Sequence, residues 1–418
     1  MSKYVIENGL RKVNPYYLTY KTPVKLRWCG RTLMKIFQTD FGESEDDIIN
    51  DIKNNHLYII SNVGRAGGST EIRGWESLKQ REIEGKDVIF HRKHKHEPSV
   101  PWLSDSTGIT IVYQDADLVV VNKPAGIPTH ATGGYMYNSV VEILKEQLDV
   151  DSIWPCHRLD KVTSGILILA KSKQATSNMQ KLTQEKAANT TEKIYIARVK
   201  GEFPEGKHAF NCPLFSVNIN GGYLQPSNLH QLQANSTTIF ERLSYSQELD
   251  QSIVICRPIT GKFHQIRIHL RNLGFPIAND YLYNPDSEGS NEIIREKNQL
   301  ELELYKRLYE KFPKFSQLYD SENYPQSDNE TVDLLDAIKW DKDITIKEAL
   351  ETLKNRQAAK VDADKSSQLR CSSCNRKLFD TDKITNSIVW LHALSYSLCE
   401  NEGTQYKFET EYPTWSRI

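Results

Sequence analysis

Residues 156–171 read CHRLDKVTSGILILAK, and the order of events in that stretch sets the architecture. His157, Arg158, Asp160 and Lys161 crowd into five positions, the turn Thr163-Ser164-Gly165 follows, and then the apolar run 166–170 begins. A short continuous apolar run bounded by a turn fits a strand buried on both faces. The charged cluster before it has two readings. One is a charged turn that keeps a hydrophobic strand soluble; the other is an aspartate held ionised for chemistry.

Working outward, similar runs recur from Gly108 to about Tyr283. LVVVNKP, KIYIARVKG, TTIFERLSY, SIVICRPITG and HQIRIHL are short, rich in β-branched and aromatic residues, and bounded by turns. Two helices interrupt them, SVVEILKEQL and the amphipathic stretch from Lys173 to Ala188. Strands outnumber helices and do not alternate with them regularly. The expectation is an α+β fold with a mixed, mainly antiparallel sheet.

Residues 25–100 read as a small α/β domain. RTLMKIFQTDF and DDIINDIKNN have helical apolar spacing, HLYIIS and KDVIFHR read as strands, and GRAGGS as a loop. The histidine-rich HRKHKHEP, residues 91–98, is expected as a solvated or phosphate-facing loop. Residues 1–24 form a basic, tyrosine-rich arm, a composition that suits phosphates and stacked bases. A basic arm that packs its tyrosines on the domain explains it equally well. Residues 101–283 hold the strand-rich domain. Residues 284–386 shift to charged text with one strong helix, EIIREKNQLELELYKRLYEKF, and an acidic linker, YDSENYPQSDNETVD, and read as an insertion. Strand-like text resumes in 387–418.

Of 418 residues, 26% are charged and 39% hydrophobic, and the formal net charge is −1. That composition suits a soluble globular chain, and no apolar stretch approaches the ~20 residues of a membrane span. The N-terminus lacks a signal peptide's apolar core, and seven scattered cysteines imply no disulfide framework. A cytoplasmic protein is expected, with a mitochondrial or nuclear pool compatible with the same features. TDFGE and HRLD imitate kinase motifs, but their order is reversed and the glycine-rich loop is missing. CSSC, at Cys371 and Cys374, is half a zinc site, with His392 and Cys399 as the completers in reach of sequence. One pair supplies only two ligands, so no metal is expected.

The company of HRLDKVTSG then decides between the readings. DLVVVNKPAGIPTH (117–130) precedes it; EKIYIARVKGEFP (192–204) and RPITGKFHQIRIHLRNLGFPIANDYLY (257–283) follow. This ordered series resembles the pseudouridine synthases of the RluA family, most closely the eukaryotic branch that modifies tRNA. The resemblance implies a mixed sheet crossed by an RNA-binding cleft, an RNA-binding role for residues 25–100, and a closing segment in WLHALSYS and ETEYPTW. It implies Asp160 as the catalytic carboxylate, Tyr195 packed against the target base, Arg267 paired with Asp160, and Arg158 entering the RNA stack. Lys123, His157, Lys161, Lys262 and His264 are the further RNA-binding positions. Lys262 departs from the family's arginine, which keeps the charge but loses the bidentate fork.

The implied reaction exchanges a sugar–N1 bond for a sugar–C5 bond, so it calls for no cofactor, metal or nucleotide. A carboxylate attacks the sugar carbon or takes its 2′ proton, and either role needs Asp160 ionised. Flipping the base out costs a few kcal/mol, which stacking on an aromatic ring partly offsets. The expected activity is uridine isomerisation by a monomer, most closely matched to the tRNA anticodon stem-loop around position 31 or 32. The rivals are an rRNA or mRNA substrate, or a non-catalytic RNA-folding factor.

Overall fold

The structure, a computed structural model, describes residues 3–64, 68–102, 108–184, 191–218, 223–225, 232–233, 236–322, 331–332, 334–340, 342–366, 370–374, 378, 388–400 and 403–418. They form two compact units, each described by itself.

The smaller unit is built on Val13–Glu97 and takes in residues 371–374 from far along the chain. In it β1 (Tyr16–Pro23), β2 (Leu57–Ser61), β3 (Thr70–Ile72) and β4 (Val88–Lys95) form an antiparallel sheet in the order β1-β4-β2-β3. Helices α1 (Leu33–Phe41) and α2 (Glu45–Lys53) follow the expected apolar spacing and bury Ile36, Phe37, Ile48 and Ile52 against Leu57 and Ile59. Both helices start at a side-chain cap, where Thr32 accepts from the Lys35 N–H and Ser44 from the Asp47 N–H. Glu45, Asp46 and Asp47 then lie at the positive end of the α2 dipole.

Two expectations about this region change. HRKHKHEP is not a loop: β4 continues through Lys95, because β1 pairs with it along its whole length, Tyr16 opposite Lys95. Residues 3–24, of the expected arm 1–24, are not an arm either. Tyr16–Pro23 is β1, while Tyr4–Glu7 and Leu10–Val13 form a small sheet with Val100–Pro101. Arg11 is buried there and donates to the Tyr137 carbonyl at 2.9 Å and to Asn138 at 2.5 Å. GRAGGS lies partly outside the described residues.

The larger unit contains an eleven-stranded sheet among the described residues. Its main strands are β5 (Thr110–Gln114), β6 (Leu118–Lys123), β7 (Ser164–Ala170), β8 (Thr191–Lys200), β9 (Lys207–Asn211), β10 (Thr237–Ser246), β11 (Gln251–Pro258), β12 (Leu318–Asp320), β13 (Leu391–Glu400) and β14 (Gly403–Glu409). The order is β12-β9-β10-β11-β8-β13-β7-β6-β5, with β14 paired to β13. The pairs are antiparallel except β7 with β13, which run parallel. The α+β fold with a mixed, mainly antiparallel sheet is as expected. The run 166–170 is buried on both faces, with Leu167 and Leu169 in one core cluster and Ile166 and Ile168 in another.

One helix overturns a strand assignment. HQIRIHL is not a strand: Gln265–Asn272 is α5, following α3 (Val140–Leu148) and α4 (Lys173–Gln184). Alternating Ile266 and Ile268 imitate a strand, but Gln265–Arg271 is buried all round, so the helix carries no polar face to reveal its period. The expected helix in the insertion is α6 (Glu292–Lys311). Its Leu304, Tyr305 and Leu308 belong to the main core of this unit, so α6 packs as an integral part of it. The acidic linker falls mostly outside the described residues.

Gly165 marks the closest approach in the sheet. Its φ is +110°, and a Cβ built there would lie 2.2 Å from the Ala393 carbonyl oxygen and 2.6 Å from the Ala393 nitrogen. Both are backbone atoms of the paired strand β13, which cannot swing aside. Gly165→Ala is expected to destabilise the protein by about 2 kcal/mol or more, from overpacking and a disallowed backbone together. Chemical denaturation of the purified variant measures this.

Candidate active site

The segment from His157 to Thr163 is rigidly held before β7 begins. His157 accepts from the Ile168 N–H at 3.1 Å and stacks on Tyr396. The Thr129 hydroxyl donates to the Leu159 carbonyl at 3.0 Å. The Lys161 carbonyl accepts from the Gly126 N–H at 2.7 Å, and Thr163 N–H donates to the Asp160 carbonyl at 3.1 Å. With its backbone fixed on both sides, Asp160 points into a cleft of about 450 Å³.

That cleft brings together Arg158, Asp160, Lys193, Tyr195, Lys262 and Phe263. Tyr195 comes from β8, at the point where the pairing with β13 passes over Leu394, from Ile194–Ser395 to Tyr195–Ala393. A bulge of this kind re-aims side chains beside it. Arg158 and Lys262 are exposed at the cleft, and Phe263 is 58% exposed. Cations and an open ring at the mouth, with an acid and a tyrosine deeper in, suit a nucleotide whose base is swung inward.

Arg267 lies on α5 with 2% exposure and approaches Asp160 at 3.7 Å through Nη1. Its principal partner is another carboxylate. Nε and Nη2 donate to Asp280 Oδ2 and Oδ1 at 2.6 and 2.8 Å, a bidentate pair with no solvent access. Burial disfavours the guanidinium charge, and Asp280 more than offsets this. Asp280 also accepts from the Leu282 and Tyr283 N–H groups, which fixes the turn that carries it. The pairing of Arg267 with Asp160 is therefore a longer, secondary contact of a cation anchored elsewhere.

Burial raises the Asp160 pKa above the ordinary carboxylate range, and Arg267, Arg158 and Lys123 only partly oppose it. Since a raised carboxylate pKa favours the protonated fold, the stability it confers is complete at low pH and lost as pH rises through the folded-state pKa. A chemistry needing the carboxylate fails in the opposite direction. Activity is expected to fall on acidification at a pH above that of a free aspartate, and a pH profile of single-turnover rates at saturating enzyme reads it directly.

Three expected RNA contacts are turned to other work. Lys123 is fully buried and donates to the Pro124, Ile127 and Lys161 carbonyls, and burial lowers its pKa to about 7. It ties the loop after β6 to the Asp160 segment and has no surface to offer a phosphate. His157, pushed down to about 3 by burial, is a neutral backbone anchor. His264 has its Nε2 3.5 Å from Asp160 and its Nδ1 2.8 Å from the Tyr283 hydroxyl, and burial together with Arg267 keeps it neutral. Lys161 lies 3.2 Å from the Tyr135 hydroxyl and is not among the residues that line the cleft. Of the residues singled out from sequence, the cleft gathers His157, Arg158, Asp160, Tyr195, Lys262, His264 and Arg267.

Sequence reasoning missed Asp280, Lys193 and Phe263. Lys193 stands two residues before Tyr195, on the same side of β8, a spacing visible in EKIYIA. Asp280, in IANDYLY, gives no local signal because its partner is thirteen residues away on a helix that reads as a strand.

A family profile described as RNA pseudouridylate synthase matches residues 117–272. The mitochondrial tRNA pseudouridine(32) synthase of Saccharomyces cerevisiae is 32% identical, over 99% of this chain and 78% of the yeast protein. The tRNA pseudouridine(31) synthase of the same yeast is 30% identical, over 99% of this chain and 96% of that protein. Among solved structures, human RNA Pseudouridylate Synthase Domain Containing 4 superposes with a TM-score of 0.40 at 21% identity, covering 73% of this chain and 90% of the human one.

Proposed function

This chain belongs to the RNA pseudouridine synthases, enzymes that isomerise uridine in RNA, and from that membership we propose that it acts on the tRNA anticodon stem-loop at position 31 or 32 with Asp160 as its reacting group. The observation that carries the assignment of Asp160 is its placement. Its carboxylate faces a cleft that also holds Tyr195, Arg158 and Lys262, 3.7 Å from a cation that Asp280 keeps in position.

In the proposed reaction the target uridine swings into the cleft and stacks on Tyr195, while Arg158 fills the gap left in the RNA. Asp160 either attacks C1′ as the N1 bond breaks or removes the 2′ proton. The freed uracil turns and C5 bonds to C1′, displacing the Asp160 carboxylate on the first route, while on the second Asp160 returns the proton to C2′. The C5 proton is lost and N1 is protonated, so the product has the composition of the substrate. Lys262 and Lys193 offer charge to the flanking phosphates. Arg267 tempers the cost of holding Asp160 charged in a half-buried site, where an attraction of roughly 4 kcal/mol is expected at contact and an effective dielectric near 20.

The position assignment rests on the two yeast relatives, whose names carry 31 and 32. We further propose a monomer and a cytoplasmic pool; one of the two yeast relatives is named mitochondrial. No helix among the described residues is long and apolar enough to cross a membrane.

Purified protein is tested on transcribed tRNAs carrying uridine at 31, at 32, at both or at neither, with pseudouridine read by carbodiimide-dependent reverse-transcription stops. Conversion at one of these positions is expected without added cofactor. Conversion confined to rRNA or mRNA fragments would overturn the tRNA assignment while leaving the family membership intact.

A further inference from the structure

The smaller unit assembles four soft and borderline ligands that are far apart in sequence. His94 lies on β4, and His96 follows two residues later on the same side of the chain. Cys371 and Cys374, though 277 and 278 residues from those histidines, belong to the same unit. Cys371 Sγ is 3.6 Å from His94 Nδ1, and Cys374 Sγ is 3.4 Å from His96 Nε2. All four ligand atoms lie within 4.8 Å of one another.

Those distances match a coordination shell. Zinc bonds of about 2.3 Å to sulfur and about 2.05 Å to nitrogen, at tetrahedral angles, set each sulfur–nitrogen edge at about 3.6 Å. The Cys371 sulfur also accepts from the Ser373 N–H at 3.3 Å, a bond that steadies a thiolate. Tyr17 packs on the His94 ring with centroids 4.8 Å apart, which fixes that ring's direction. The neighbouring group of Glu43, Asp51 and His91 differs, because His91 is already bound to Asp51 at 2.7 Å and Glu43 to Lys93.

We propose that His94, His96, Cys371 and Cys374 bind one zinc ion as a closed, structural Cys2His2 site. Binding releases the two thiol protons, and the resulting pair of thiolates neutralises the ion. With four protein ligands there is no open position for substrate, so the ion fastens residues 371–374 to β4 and takes no part in the isomerisation. The site corrects the completers expected from sequence: His392 lies in β13, bonded to Ser164 at 2.8 Å and Thr410 at 2.6 Å.

The test is the metal content of the full chain, purified without added metal or affinity resin that leaches it. About one zinc per chain is expected, falling to background in Cys371→Ser/Cys374→Ser and in His94→Ala/His96→Ala, and retained in Cys29→Ser, which alters an exposed cysteine of the same unit. Exchange into cobalt(II) should give the visible bands of a tetrahedral ion with thiolate charge transfer, a readout that needs no variant. Metal-free protein that yields no such bands would overturn the proposal. So would zinc retained at full stoichiometry in both double variants, or a Cys371–Cys374 disulfide in the purified protein.

Discussion

Asp160→Asn is expected to lower single-turnover conversion of uridine by roughly 10⁴-fold or more, whichever of the two mechanisms operates. Asparagine fills the same space, so the segment held by Leu159, Lys161 and Thr163 should stay in place and RNA should bind with near-unchanged affinity. Because the folded protein resists ionising Asp160, the variant should also melt at a higher temperature than wild type at neutral pH, with the gap closing in acid. Loss of activity with gain of stability marks a group held in an unfavourable state for function. Conversion at close to wild-type rate would remove Asp160 from the chemistry, whatever happened to the melting temperature.

Asp280→Ala is expected to cost about 3–5 kcal/mol, because it leaves the buried Arg267 guanidinium without its bidentate partner and with only the longer contact to Asp160. The variant also strands the two N–H groups of the turn that Asp280 caps. Replacing both partners separates the two roles of the pair. Arg267→Met with Asp280→Asn removes the orphaned charge and keeps an acceptor for the turn, so most of the stability should return. Activity should not, since Asp160 then loses Arg267, the cation held 3.7 Å from it. Denaturant titration and single-turnover assays of the single and double variants complete the cycle; equal loss of stability in single and double variants would count against the ion pair as the anchor.

What could be read from the sequence follows from where the signal lies. The strands 118–123, 164–170, 191–200 and 251–258 were legible because their apolar runs are local and bounded by turns. Helix α5 was not, because burial on every side erases the contrast between faces on which helical period depends. Asp160, Tyr195 and Arg267 were legible only as a set, through the order of the motifs around them. Lys123 and His157 misled for a common reason: charge and a ring nitrogen next to Asp160 look like RNA contacts, and only their burial shows that they bond to the backbone. Asp280, and the histidines that complete the Cys371–Cys374 pair, were invisible because each depends on partners that the fold, not the sequence, brings near.

The position of β13 carries a consequence for how the molecule is made. This strand lies between β7 and β8 in the sheet, yet the ribosome reaches it only at Leu391, long after both neighbours have emerged. Asp160 stands just before β7 and Tyr195 on β8, so the two sides of the cleft are born on half-sheets that share no direct pairing. Until the late strand inserts, each half presents an open edge able to pair with another chain. Nascent chains stalled before Leu391 should therefore be inactive and dependent on chaperones, and the enzyme acquires its catalytic geometry in one late step of vectorial synthesis.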